Sequence, residues 1–200
     1  AGFSFPSGDY AQRTDTDNSG FAKLGFGGGL EYDLLFGDSG ASWSSSFAYL
    51  SNEHQADYFS RGLKLVMQEG GTYSNYSFLT GVKYEKNLGD NFRLFAAAQG
   101  GVSLSRGPYI SGFLDTENED VPFIEYQVGN GSSTGLSFAL GMVANETTTI
   151  SLRYFNLGTH SYSGTVEYEQ NDIDKTASIS WEQPVSMIFL TIGYAIDLGF

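Results

Sequence analysis

Two hundred residues with no cysteine, 26 glycines and 16% aromatic side chains describe one β-rich domain, 1–200, which no composition break or Pro/Ser linker divides. The missing thiols exclude disulfide scaffolds, zinc knuckles and thiol chemistry, and a net charge of −13, from 23 acidic against 10 basic residues, excludes nucleic acid as a partner, since phosphate binding needs a cationic face. No apolar run approaches the roughly 18–20 residues of a membrane-spanning helix, but a spanning β-strand hides its hydrophobicity in every second residue.

The chain opens at Ala1 without a basic stretch or an apolar run, so any export signal is expected to have been removed, and no Cys at position 1 supports a lipid anchor. A first strand is expected over Phe3–Gln12, with Pro6 at a bulge or rim because it cannot donate to a ladder. In the polar link that follows, Asp15, Asp17 and Ser19 resemble the start of a calcium loop, but position twelve would be Phe26 and not Glu. An exposed turn is the better reading, and no metal or cofactor is expected.

Strict alternation then begins. Leu24, Phe26, Leu30, Tyr32 and Leu34 face one way, and Lys23, Gly25, Gly27, Gly29, Glu31 and Asp33 the other. Trp43, Phe47 and Tyr49 oppose Ser42, Ser44 and Ser46. Tyr76, Phe78, Val82 and Tyr84 oppose Ser77, Gly81, Lys83 and Glu85. Phe92, Leu94, Ala96, Ala98, Val102 and Leu104 oppose Arg93, Ala97, Gln99, Gly101 and Ser103, with Phe95 as an exception. Leu136–Met142 and Ile150–Tyr154 repeat the pattern. The last segment is the most regular: Ile188, Leu190, Ile192, Tyr194, Ile196, Leu198 and Phe200 are all large and apolar, while Asp197 lies on the other face.

Short links rich in Gly, Asn and Asp, at Gly37–Gly40, Asn87–Asn91 and Asn145–Thr148, alternate with long polar ones at Arg13–Ser19, Ser51–Gly71, Arg106–Ser133 and Ser161–Pro184. Three short and four long connections join eight strands. The asymmetry predicts a closed antiparallel eight-stranded transmembrane β-barrel with short periplasmic turns, long extracellular loops and both termini periplasmic. Val166 and Tyr168 against Glu167 and Glu169, followed by Ile179 and Trp181, predict that the last hairpin continues beyond the bilayer.

The ending "IFLTIGYAIDLGF", with "FSFPSGDY" and "GFGGGLEYDL" near the start, resembles the outer-membrane β-barrel domain family, similar in architecture to outer-membrane proteins A, X and W. The resemblance implies a bacterial, Gram-negative outer membrane and contact with its lipid and lipopolysaccharide. It also implies a C-terminal signal at Tyr194, Ile196, Leu198 and Phe200, read by the barrel-assembly machinery.

The alternation directs Lys23, Glu31, Asp33, Lys83, Glu85, Arg93, Arg153 and Asp197 inward, with Gln99, into a lumen that eight strands leave wide enough only for side chains. A plug of ion pairs is expected there. Trp43, Tyr49, Tyr84, Phe92, Tyr154 and Phe200 fall near strand ends, as interfacial anchors do. No catalytic residue is assigned: His160 and Ser161 are adjacent on a strand and point to opposite faces, and His54 reads as part of a polar loop with Glu53 and Asp57 nearby. The expected role is therefore a non-enzymatic structural or accessory component that docks another outer-membrane or cell-surface protein. The alternatives are a narrow porin-like pore and, behind it, an envelope enzyme.

Overall fold

The structure, a computed structural model, describes residues 1–13, 20–55, 65–89, 91–114, 123–170 and 173–196. Eleven strands follow one another: β1 Gly2–Ser7, β2 Ala22–Leu35, β3 Ala41–His54, β4 Leu65–Gly70, β5 Thr72–Asn87, β6 Phe92–Arg106, β7 Ile110–Leu114, β8 Phe123–Val128, β9 Asn130–Ala144, β10 Thr148–Gln170 and β11 Ile173–Tyr194. Among the described residues the only helical turns are single 3-10 turns at Gly8–Ala11 and Gly37–Ser39.

Eight of these strands, β1, β2, β3, β5, β6, β9, β10 and β11, pair antiparallel in that order, and β11 pairs back onto β1, so the sheet closes in a ring. The pairing path from Gly25 runs through Ser4, Phe189, Arg153, Ala139, Ala97, Lys83 and Ser42 and returns to β2 at Leu35, ten residues further on. An even stagger keeps each strand's inward set inward after a full circuit, and with eight strands it sets a tilt of about 40°.

The short connections at Gly37–Gly40 and Asn145–Thr148 are turns as expected, and Asp90 of the third lies outside the described residues. Gly37 and Gly40 take positive φ of 60° and 75°, and a Cβ on Gly40 would sit 2.4 Å from the Glu85 carbonyl oxygen. Asn145 and Glu146, at φ 51° and 63°, form a turn of the I′ kind, closed by the Thr147 amide donating to the Ala144 carbonyl at 3.2 Å.

The other connections differ from the sequence reading. The first strand stops at Ser7, because the chain turns inward at Gly8–Ala11 and buries Tyr10 completely. Pro6 lies beyond Ser4, the last residue of β1 paired with β2, so its missing amide removes no rung to β2. The expected long links contain β4, β7 and β8, and both β3 and β9 reach into them. The last hairpin does continue: β10 and β11 stay paired to Gln170 and Ile173, with one irregularity at Asn156/Thr159. Strand β8 adds to β10, β7 to β8 and β4 to β7, so a branch of the same sheet rises from one side of the ring's mouth.

Side chains sort as the alternation requires. Leu24, Phe26, Leu30, Phe78, Val102, Phe138, Leu140, Leu152 and Ile192 are exposed on the outside. The interior has three levels. Charged groups fill the end near the short turns. The middle holds Leu50, Leu79, Phe155, Met187 and Phe189, and the mouth is closed by Tyr10, Tyr73 and Tyr162.

Strand β1 also leaves a mark on the wall. It pairs with β2 only through Gly2–Ser4 and with β11 through Gly2–Ser7. Towards the short turns, the edge of β2 from Gly28 to Leu35 therefore has no partner strand on that side among the described residues.

Candidate functional site

The chemistry is concentrated in the charged level. Lys83 reaches inward from β5, and its ammonium lies 2.6 Å from Asp33, 3.0 Å from Glu85 and 3.2 Å from Glu31. Arg153 on β10 pairs with the other Glu31 oxygen, and Arg93 on β6 approaches Glu85 at 3.7 Å. Three carboxylates and three cations thus neutralise one another. Lys83 and Arg153 are buried, whereas the side chains of Glu31 and Asp33 are each 25% exposed, on the β2 side of the wall.

The neighbours complete a polar lattice. Arg153 donates to Gln99 Oε1 at 3.2 Å, Ser46 donates to the same oxygen at 2.8 Å, and Gln99 Nε2 donates to Ser44 at 2.9 Å. Phe95, the exception in its strand's pattern, points inward, where the Lys83 ammonium sits 4.5 Å from its ring centroid. Gly141 makes room for the ring, since a Cβ there would lie 2.4 Å from Phe95 Cζ.

Six of the eight expected network residues meet here: Glu31, Asp33, Lys83, Glu85, Arg93 and Arg153. Lys23 does not. Ala22 pairs with His54 and Gly25 with Asn52, so Lys23 stands at the mouth end of β2, eight residues before Glu31 and out of its reach, where a bulge sets Lys23 and Leu24 together opposite Glu53. Asp197 lies outside the described residues, as do Leu198 and Phe200 of the expected assembly signal and Asp15, Asp17 and Ser19 of the calcium-like stretch. Tyr194 and Ile196 are exposed on the outer face.

The mouth holds a second polar group that sequence reading missed. Asn75 donates to the Tyr10 hydroxyl at 3.0 Å, Ser105 donates to Asn75 Oδ1 at 2.6 Å, and Tyr162 donates to Ser105 at 2.5 Å. Tyr73 donates to the Gly20 carbonyl at 2.8 Å and packs edge-on against Tyr10. The only signal in the sequence is that Tyr73, Asn75, Ser105 and Tyr162 occupy inward positions of their strands. Tyr10 reaches them from a turn, so no periodicity announces it.

Both histidines belong to this level. His54 is not in a loop: it is the last residue of β3, buried beside Phe21 and Tyr73. His160 is buried too, while Ser161 faces out, and its Nε2 lies 3.0 Å from Ser103. The Ser103 hydroxyl donates to the Leu157 carbonyl at 2.8 Å, so its proton is directed away from the imidazole.

His54 and His160 stand beyond the last apolar outward residues of their strands, Tyr49 and Tyr154. Burial holds both imidazoles down at about 4, with Lys23 adding to the effect at His54. A folded pKa below the unfolded 6.5 leaves stability complete above pH 6.5 and erodes it as pH falls towards 4. A loss of order 1 kcal/mol per imidazole is expected between pH 7 and 5. Melting of the protein in detergent at those two pH values checks it, and His54→Gln with His160→Gln should flatten the difference.

No family model, curated protein or solved structure matches the chain.

Proposed function

We propose that this chain is an outer-membrane β-barrel, with its lumen closed by its own side chains, that serves as a non-enzymatic structural or accessory component of a Gram-negative envelope. The observation that carries the reading is the outer wall. Bulky apolar residues on β2, β3, β5, β6, β9, β10 and β11 are exposed all around the ring, while the buried interior holds Ser44, Ser46, Gln99, Lys83 and Arg153. In water that arrangement is inside out. In hydrocarbon it is the stable one, because the outer side chains match the solvent and, among the described residues, the ladder pairs backbone amides around the ring except along the β2 edge at Gly28–Leu35.

In this reading the short turns face the periplasm, and the sheet formed by β4, β7, β8 and the ends of β10 and β11 projects outside. Among the described residues its outer strand β4 is paired on one side only, and a strand edge is a known means of binding another polypeptide. That sheet is the proposed contact with another envelope protein.

The partial exposure of Glu31 and Asp33 favours a second reading, a narrow pore. Planar-bilayer recording separates the two. The plugged barrel should give no resolved steps from purified, folded protein, and reproducible openings would replace it with the pore. Folding itself is checked by heat-modifiable migration of the detergent-solubilised protein. A chain that stays folded and monomeric in buffer without detergent would end both readings.

A further inference from the structure

Cations are scarce in this chain, and three of them, Lys83, Arg93 and Arg153, are committed to the interior cluster. Arg106 is not. It ends β6 on the outward face, at the next outward position after the exposed Leu104, and among the described residues it makes no ion pair. Its cross-strand neighbours are Ser74 on β5 and Asn130 on β9, so a guanidinium, a hydroxyl and an amide stand in one row. Beside the row is a cavity of about 190 Å³ lined by Arg106, Gly107, Tyr109 and Val128.

The cavity walls are held in place. Gly107 lies so close to Val128 that a Cβ would fall 2.3 Å from Val128 Cγ1. The Tyr109 backbone is tied to Gly71, whose amide donates to the Tyr109 carbonyl at 2.7 Å. Immediately towards the short turns, Leu104, Val102, Tyr76 and Phe78 are exposed and apolar.

We infer that Arg106, with Ser74, Asn130 and Tyr109, forms a site for the phosphate group of a membrane lipid whose acyl chains lie along Leu104, Val102 and Phe78. This rests on the membrane reading above and names residues that would hold one lipid. A planar guanidinium donates two parallel hydrogen bonds to phosphate. The apolar strip leading away from it is what distinguishes a lipid phosphate from a free one. An outward arginine that makes no ion pair among the described residues, placed at the edge of an apolar wall, stands where headgroup phosphates lie when that wall faces lipid.

The test uses the full chain in detergent and in phosphatidylcholine vesicles, with native mass spectrometry and titration of dioleoyl phosphatidic acid. Phosphatidylcholine alone is the zwitterionic control, and inorganic phosphate is the control for source. Phosphatidic acid should be retained, and Arg106→Gln should weaken it about tenfold or more, as expected for losing a hydrogen bond to a charged group. Lys23→Gln, which removes a cation away from this cavity, should leave retention unchanged, and Arg106→Lys should recover part of it.

Equal retention by Arg106→Gln would overturn the site. Inorganic phosphate competing at the same concentration as the lipid would overturn the lipid assignment in favour of a soluble anion. Protein that floats with vesicles yet shows no preference for phosphatidic acid would remove this inference and leave the membrane reading standing. Protein that does not float would remove both.

Discussion

Leu140→Arg is expected to destabilise the protein in a bilayer by roughly 2–4 kcal/mol, the usual cost of a cation on the lipid face of a β-barrel near mid-depth. Leu140 sits on the outer face of β9, 66% exposed, between the cross-strand neighbours Ala96 and Leu152. An equally exposed leucine on a water-soluble protein could be replaced by arginine for about 0.5 kcal/mol or less. The two environments therefore give different results for one substitution. Urea unfolding of the protein in phosphatidylcholine vesicles measures it, and Ser132→Arg, near the mouth on the same strand, is the control. Equal, small effects at both positions would mean that this wall does not face lipid.

The second large effect concerns the interior. Lys83→Met should cost roughly 3 kcal/mol, the low end for breaking a buried ion pair, because it leaves three part-buried carboxylates side by side without the ammonium they share. Lys83 faces Glu31, Asp33 and Glu85 at once, and methionine fills a similar volume, so the loss reads charge and not packing. Adding Glu85→Gln to Lys83→Met should restore part of it by removing one of the stranded charges. A non-additive cycle of this kind is the signature of residues sharing one network. Thermal unfolding of the four proteins in the same detergent checks it. If Lys83→Met unfolds like the parent protein, the cluster is hydrated and carries little of the stability.

The strands and their faces were legible because a period of two is a local property. Leu30, Phe78 and Leu140 could be assigned to one face from their spacing alone, and the glycine-bearing turn at Gly37–Gly40 announced itself by residue type. Six charged residues found each other for the same reason, since inward positions on different strands all converge on one narrow axis.

Departures arose where a contact depends on residues far apart in the chain. Lys23 stays out of the network because it stands at the mouth end of β2, a difference in height that the alternation of faces does not register. Phe95 looked misplaced until Lys83 and Gly141 stood beside it. His54 read as a loop residue because its polar neighbours Glu53 and Asp57 conceal an inward position at the end of a long strand. Tyr10 plugs the mouth from a turn, and its partners Tyr73, Asn75 and Tyr162 come from other strands.

By itself the sequence determined an antiparallel all-β chain, its pattern of bulky and small faces, and the positions of the three tight turns, because each follows from residues a few places apart. Only the tertiary structure decided the ten-residue stagger of the ring, the branch of the sheet built on β10, the sharing of Lys83 by three carboxylates and the tyrosine-lined mouth. Those features depend on register between strands distant in sequence, and a one-residue change in register would turn every side chain of a strand to the opposite face.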